Sequence, residues 1–350
     1  MKIFIKTYGC QANINDSEIL AGKLIKDGNI LVLNENEADK IIVNTCSVKN
    51  KTQSKILCYI KKQINEDKEI EIGGCLVKTY KFEERFPNSK IKIIDTINTN
   101  KLNTPIARIN NDIAIIQICQ GCLNTCTFCS TKLARGNLKS YRIGDVKRQL
   151  ESAIKEGAKK IYLTSQDNGA YGFDIKTNLS KLLKELVEID GDYKIRIGMM
   201  NPWHLRKIKN SLLEVMENEK IQKFLHIPVQ SGSEQVLKDM KRIHTVSEFK
   251  EIAKEFRNKF PREIYSDSTI ATDIIVGFPT ETEEDFQETL NLIEEIKPEV
   301  LNISAYSSRP GTKASKLKQL SSEVVKQRTK RLNDLYLSYR RKLALPVIKN

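Results

Sequence analysis

The run Cys122-Leu123-Asn124-Thr125-Cys126-Thr127-Phe128-Cys129 sets three thiols in C-x3-C-x2-C spacing, with an aromatic residue before the last cysteine. Three thiolates on one loop can hold three irons of a cubane cluster, because thiolates suit iron–sulfur sites. The fourth iron is then left without a protein ligand and can bind a small molecule, which is what catalysis needs. Cys119 extends the run to C-x2-C-x3-C-x2-C and raises zinc as an alternative. Zinc ribbons, however, separate their cysteine pairs by about 15–20 residues, and four cysteines packed this closely make a strained tetrahedral cage. Two-cluster ferredoxins use another order, ending in Cys-Pro. No signal-like segment opens the chain, so a reducing, cytoplasmic setting is expected and disulfides are not. Cys119 itself reads as a spare buried thiol.

Cys10, Cys46 and Cys75 are far apart in sequence, yet each directly follows a strand-like run: Ile-Phe-Ile-Lys-Thr-Tyr-Gly-Cys, Ile-Ile-Val-Asn-Thr-Cys and Ile-Glu-Ile-Gly-Gly-Cys. In a parallel sheet all three fall at the carboxyl edge, where open α/β sheets place ligands. Gly9, Gly73 and Gly74 permit close backbone approach there. Three equivalent strand ends therefore predict a second cluster site. Cys58 falls mid-helix and reads as structural.

The elements that must carry these thiols follow from periodicity. Short apolar runs at 3–5, 30–33, 41–43, 70–72 and 91–94 alternate with helical patterns such as Ile19, Leu20 and Leu24, which predicts a parallel sheet. A polar stretch over 98–112 reads as a linker. The alternation restarts with strands at 113–118, 161–164, 194–199, 224–229, 269–276 and 300–305, and helical spacing lies between them. Six β/α units are too few for the usual eight-stranded closed barrel. The expected fold is α/β: an N-terminal flavodoxin-like or Rossmann-like parallel-sheet domain, a partial (β/α)6 barrel and a C-terminal helix. The expected boundaries are 1–100, a linker at 101–112, the barrel at 113–320 and the helix region at 321–350. Net charge is +14, from 58 Lys+Arg against 44 Asp+Glu, which favours a polyanionic partner such as nucleic acid. No apolar run approaches the roughly 18 residues that would span a membrane.

Thr7-Tyr8-Gly9-Cys10-Gln11-Ala12-Asn13 with Asp16-Ser17-Glu18, then Val43-Asn44-Thr45-Cys46, Gly73-Gly74-Cys75 and the C-x3-C-x2-C loop, resembles the methylthiotransferases of the radical S-adenosylmethionine (SAM) superfamily. The likeness covers essentially the whole chain. Residues 117–124 and 163–172 look most like the archaeal and eukaryotic branch that acts on threonylcarbamoyladenosine in tRNA. The resemblance implies two 4Fe-4S clusters and SAM. It gives Cys122, Cys126 and Cys129 to a cluster that cleaves SAM to a deoxyadenosyl radical, which takes hydrogen from carbon 2 of the adenine. It gives Cys10, Cys46 and Cys75 to a cluster that presents the methylated sulfur. Ser165, Gln166 and Asp167 follow the second barrel strand, where the superfamily binds the SAM amino group; Asp167 is the first choice and Gln166 the second. Arg196 and Gln230 are candidates for the SAM carboxylate or ribose. Lys132, Arg135 and Arg142 are candidates for RNA phosphate or the SAM carboxylate. The implied partners are the tRNA anticodon stem-loop and a low-potential electron donor such as ferredoxin or flavodoxin, with no membrane. Family members usually carry a small β-barrel (TRAM) domain after the final helix, and this chain stops about where that domain would begin.

Branches acting on isopentenyladenosine in tRNA or on a ribosomal-protein aspartate are the alternative substrates. An iron–sulfur electron carrier would not need six β/α units, and a non-catalytic RNA-binding module would not need six placed thiols. The role of the run Gly277-Phe278-Pro279-Thr280-Glu281-Thr282 does not follow from sequence.

Overall fold

The computed structural model describes residues 1–48, 50–66, 68–87 and 89–342. The first layer is a five-stranded, wholly parallel sheet. Its elements are β1 (Lys2–Thr7), α1 (Gln11–Lys26), β2 (Ile30–Leu31), β3 (Lys40–Thr45), α2 (Asn50–Asn65), β4 (Glu69–Gly74), α3 (Phe82–Arg85) and β5 (Ile91–Ile93). The strand order β2-β1-β3-β4-β5 is the flavodoxin-like one. All five expected strands form, although β2 ends at Leu31 and Leu33 beyond it is 99% exposed. β3 lies at the centre, and Ile41, Ile42 and Val43 are all fully enclosed, as a strand covered on both faces requires.

The second body contains β6 (Ile113–Gln117), β7 (Cys119–Gln120), α4 (Thr131–Arg135), β8 (Lys139–Ser140), α5 (Ile143–Lys155), β9 (Lys160–Thr164), α6 (Leu179–Val187) and β10 (Lys194–Ile197). It continues through α7 (Pro202–Arg206), α8 (Lys209–Val215), β11 (Phe224–His226), α9 (Glu234–Asp239), α10 (Val246–Lys259), β12 (Thr269–Val276), α11 (Glu283–Ile296), β13 (Val300–Ala305) and α12 (Ser322–Lys342). The six expected barrel strands are present. They form two parallel triplets, β6-β9-β10 and β11-β12-β13, joined where Ile195 bridges Ile221 and Met200 N–H reaches His226 O at 2.9 Å. β6 and β13 do not pair, so the barrel is open. Of the expected C-terminal helix region, residues 343–350 lie outside the described residues.

Alternate residues along these strands divide their faces. Ile161, Leu163, Ile195, Ile197, Leu225 and Ile227 join the main hydrophobic core beneath the helices. Tyr162, Arg196, Phe224, His226, Asp273 and Asn302 face the barrel interior and remain half-buried. The run at 277–282 is structural. Thr282 caps α11 in a capping box with Asp285. Buried Glu281 accepts from Gly277 N–H (2.9 Å) and pairs with Arg328 of α12 (2.8 Å), which fastens the last helix to the barrel.

The two bodies dock through α1. Asn13, Asn15, Asp16, Ser17 and Glu18 on this helix are polar yet buried, because the helix is sandwiched between its own sheet and the unpaired side of β6. Asn15 Nδ2 donates to Ile115 O (2.8 Å), and Gln117 Nε2 donates to Asn15 Oδ1 (3.0 Å) and Asp16 Oδ1 (2.8 Å). The connecting stretch expected to be a linker is laid along the same helix. Lys101 is enclosed against Asp16 (2.6 Å), and Ala107 N–H donates to Glu18 O (2.9 Å).

Candidate active site

The loop triplet is built locally. Gly121 opens the 122–129 loop at φ +78°, and a Cβ there would meet Asn137 O at 1.9 Å, so only glycine fits. Cys122 N–H donates to Gly136 O (3.1 Å), and β7 pairs antiparallel with β8, closing the base of the loop. The far side is tied to the other half of the barrel. Thr127 donates to Met240 O (N–H, 3.1 Å) and Asp239 O (hydroxyl, 2.8 Å), while Thr127 O accepts from Ala314 N–H (2.9 Å). Phe128, the aromatic residue of the motif, packs against Val236, Met240, Phe278 and Ala314. The three thiols are half-buried. Asn124 N–H points to Cys122 Sγ (3.4 Å), and Arg242, held to Pro228 O at 2.7 Å, points to Cys126 Sγ (3.7 Å).

The sheet triplet is built by topology. β1, β3 and β4 are neighbours in register, so Cys10, Cys46 and Cys75 leave adjacent strand ends, and Cys10 and Cys46 flank the point where the strand order reverses. Gly9, at φ +119°, passes so close to Cys46 that a Cβ would lie 2.9 Å from the Cys46 Cβ. Asn13 organises the centre. Its Nδ2 donates to Tyr8 O and Thr45 O (2.8 Å each), and its Oδ1 accepts the thiols of Cys10 (3.9 Å) and Cys75 (3.8 Å). The segments that carry the two triplets touch. Ser47, after Cys46, and Ser130, after Cys129, are both buried with hydroxyls 3.3 Å apart.

Burial dominates the electrostatics of the thiols. Burial pushes Cys122 up to about 12 and Cys75 up to about 11, and it raises Cys46 and Cys126, with arginines opposing the rise at Cys46, Cys75 and Cys126. These four thiols must therefore shed a proton on binding iron. Each triplet offers three thiols, the soft donors that iron–sulfur clusters take. Cys119 is fully enclosed with its thiol toward Asp167 O (3.9 Å), as a spare buried thiol would be. Cys58, by contrast, is exposed on α2. The donor chemistry at both triplets fits an iron–sulfur cluster.

Three expectations for the remaining residues need correction. Asp167 is not free to take a SAM ammonium. It is 1% exposed, and its carboxylate already accepts from Gly169 N–H (3.1 Å), Asn201 N–H (3.0 Å) and Asn124 Nδ2 (3.3 Å) and lies 2.6 Å from His204 Nδ1. It braces the cluster loop through Asn124. Ser165 Oγ accepts Asp167 N–H (3.1 Å) and serves the same turn. Gln166, half-buried with its Oε1 on Gly121 N–H (2.6 Å), is the residue of this trio at the loop. Arg135 is not on the RNA-facing surface either. It is 4% exposed and binds Asp16 (2.6 Å) and Asn13 (2.8 Å) beneath the sheet triplet. Arg142 is exposed, and Lys132 is half-buried with Nζ on Leu123 O (3.3 Å), so these two remain near the surface beside the loop.

Arg196 lies inside the barrel with its guanidinium 4.0 Å from the Phe224 ring centroid. Gln230 is buried at φ +78°, held in that strained backbone by Gln230 N–H to Asp273 O (2.9 Å) and Ile275 N–H to Gln230 O (3.0 Å). Sequence reading missed His226, Asn302 and the placement of Asp273. In the interior Asp273 Oδ1 contacts His226 Nε2 (3.0 Å) and accepts from Asn302 Nδ2 (2.7 Å). Their signal was period-2 polarity in strands that, when parallel and buried on both faces, are otherwise apolar.

A sequence profile of the Radical SAM superfamily matches residues 116–293, and one described as uncharacterized protein family UPF0004 matches residues 2–96. A probable threonylcarbamoyladenosine tRNA methylthiotransferase of Pyrococcus abyssi is 42% identical over 96% of this chain and 84% of its own length. The human threonylcarbamoyladenosine tRNA methylthiotransferase is 38% identical over 97% of this chain and 63% of its own. In fold, the chain is similar to the radical S-adenosylmethionine methyltransferase TsrM from Kitasatospora setae, with a TM-score of 0.64 at 12% identity over 90% of this chain and 77% of that one. It is also similar to the cobalamin-dependent radical enzyme OxsB, with a TM-score of 0.55 at 12% identity over 96% and 56%. A parallel-sheet body, an open six-stranded barrel with a C-x3-C-x2-C loop, and relatives this similar over nearly the whole chain agree: the chain belongs to the radical SAM methylthiotransferase family.

Proposed function

We propose that this enzyme transfers a methylthio group to carbon 2 of N6-threonylcarbamoyladenosine next to the anticodon of tRNA. The observation that carries the reading is the Ser47–Ser130 contact, which joins the residue after Cys46 to the residue after Cys129. Sulfur insertion at an unactivated carbon needs a radical source and a sulfur platform within reach of one substrate atom. When bound, a 4Fe-4S cluster with SAM supplies the radical, and a second 4Fe-4S cluster supplies the sulfur platform.

The chain's own residues have distinct parts. Cys122, Cys126 and Cys129 would hold the first cluster, with Arg242 directed at the Cys126 sulfur and Asn124 N–H at the Cys122 sulfur. Cys10, Cys46 and Cys75 hold the second. Gln166 at the loop, with Arg196, Gln230, Asp273, His226 and Asn302 in or beside the interior, binds and orients SAM through its ammonium, carboxylate and hydroxyl groups. Lys132 and Arg142 meet RNA phosphate at the mouth, where the net charge of +14 favours a polyanion. The working division is a methylthiotransferase domain at 1–100, a packed connector at 101–112 and the barrel at 113–320, followed by the helix. The expected setting is the cytoplasm, with reduction by a low-potential donor such as ferredoxin or flavodoxin; no helix among the described residues is long and apolar enough to cross a membrane.

The test is a pair of anticodon stem-loops, one bearing threonylcarbamoyladenosine and one plain adenosine. The first should gain a methylthio group by mass analysis and the second should not, because the threonyl carboxylate gives a cationic pocket its anchor. Equal turnover of both would falsify the substrate assignment and leave the radical chemistry standing. Modification of an isopentenyladenosine stem-loop instead would move the enzyme to the other tRNA branch.

A further inference from the structure

Beneath Cys10 and Cys75, two buried cations share one carboxylate. Lys101 Nζ and Arg135 Nη2 each lie 2.6 Å from Asp16, and all three side chains are 0–1% exposed. Among the described residues neither cation has another ion-pair partner at these distances. A buried excess of positive charge is costly unless an anion offsets it. The geometry shows where that anion belongs. Arg135 Nη2 is committed to Asp16 and Asn13, but Nη1 is buried with no hydrogen-bond partner. The Arg135 charge acts on Cys75 and Cys10, and the Asn13 oxygen it binds is the one that accepts both thiols. A second arginine stands at the third cysteine. Arg309, 5% exposed, donates to Gln53 Oε1 (2.8 Å) and Val48 O (2.6 Å), and its charge acts on Cys46. Both arginines come from the barrel body, Arg135 from α4 directly after the loop triplet and Arg309 from the segment after β13.

We propose that the N-terminal sulfur site is a composite one, completed by Arg135 and Arg309 of the second body, with Arg135 Nη1 donating to a sulfur of the anionic cluster bound there. This rests on the reading that Cys10, Cys46 and Cys75 hold a cluster. The two arginines are positioning residues: they offset the cluster's negative charge and set its potential, and they do so only when the two bodies are docked. Hydrogen bonds to the sulfurs and nearby cations favour the reduced, more negative state and raise the potential.

The test uses the full chain carrying C122A/C126A/C129A, reconstituted so that only the N-terminal site can contribute iron. Its midpoint potential and the EPR spectrum of its reduced form are compared with those of the same chain carrying R135Q or R309Q. Each substitution should move the potential to more negative values and alter the spectrum, and R135K should shift it less than R135Q. If R135Q does not fold, R135K and R309Q carry the test. Iron retained with potential and spectrum unchanged in these variants would reduce both arginines to braces between the bodies and overturn the proposal. A parent with no iron at all would overturn the cluster reading beneath it.

Discussion

The two thiol triplets solve one chemical problem from opposite directions. The loop triplet lies within eight residues, 122–129, and its geometry is set by a glycine turn, a short hairpin and one aromatic anchor. The sheet triplet is spread over 66 residues, 10–75, and exists only because three parallel strands are neighbours in register. The loop site is thus determined locally and then clamped to the barrel. The sheet site is determined globally, and its supports reach across the boundary between the bodies. A local site can survive loosening of the fold around it; a topological one cannot.

The sharpest way to break this comparison is to remove each triplet in turn. Replacing Cys122, Cys126 and Cys129 with Ala should abolish SAM cleavage and leave about four of about eight irons per chain. Replacing Cys10, Cys46 and Cys75 should also halve the iron, yet deoxyadenosine should still form while methylthio product disappears. Iron analysis and product mass spectrometry decide it, and methylthio product from the second variant would remove the sheet site from the chemistry. A smaller effect is expected from Asp16→Ala. It strands buried Arg135 and Lys101 without their carboxylate, which should cost about 3–5 kcal/mol in denaturant unfolding. Iron should be lost from the sheet site first; equal loss from both sites would mean the two do not differ in kind.

The last effect concerns the barrel side and shows only in acid. His244 lies two residues after Arg242 and is 2% exposed, with both ring nitrogens buried. Burial, helped by the Arg242 charge, lowers its pKa to about 3. The unfolded chain then takes up a proton below about pH 6.5 that the folded chain refuses. Stability is retained above that pH and falls by up to about 1.4 kcal/mol per pH unit as pH drops toward 3. His244→Phe should flatten this slope in unfolding curves measured between pH 6.5 and 4. An unchanged slope would show that His244 is not the group that titrates.

Much of this was legible in the sequence because period carries topology. Strand runs separated by helical spacing predicted both sheets, and three cysteines at strand ends predicted their own convergence. What sequence could not carry was partnership across the two bodies. Arg135 sits beside the loop triplet in sequence but meets Asp16, 119 residues away, so its basic neighbourhood suggested phosphate rather than burial. Asp167 looked like a counter-ion for an ammonium because a carboxylate was in the right turn. Its enclosure by Asn124, Gly169, Asn201 and His204 depends on three segments distant in sequence from one another. The interior face failed for a different reason: Asp273 and His226 were visible as polar residues in strands, but which face of an open barrel they occupy is set by register.

The Asn15 contact to Ile115 has a consequence for how the chain stays in solution. The far side of Ile113–Gln117 is the rim of an unclosed barrel, and an uncovered rim of this kind recruits other chains by strand addition. α1 lies over it, with an amide in place of a neighbouring strand. Barrel produced without its first 112 residues should therefore self-associate, by light scattering or sedimentation, at concentrations where the intact chain stays dispersed. In this sense the N-terminal body acts as a built-in guard against aggregation, whatever its part in the chemistry.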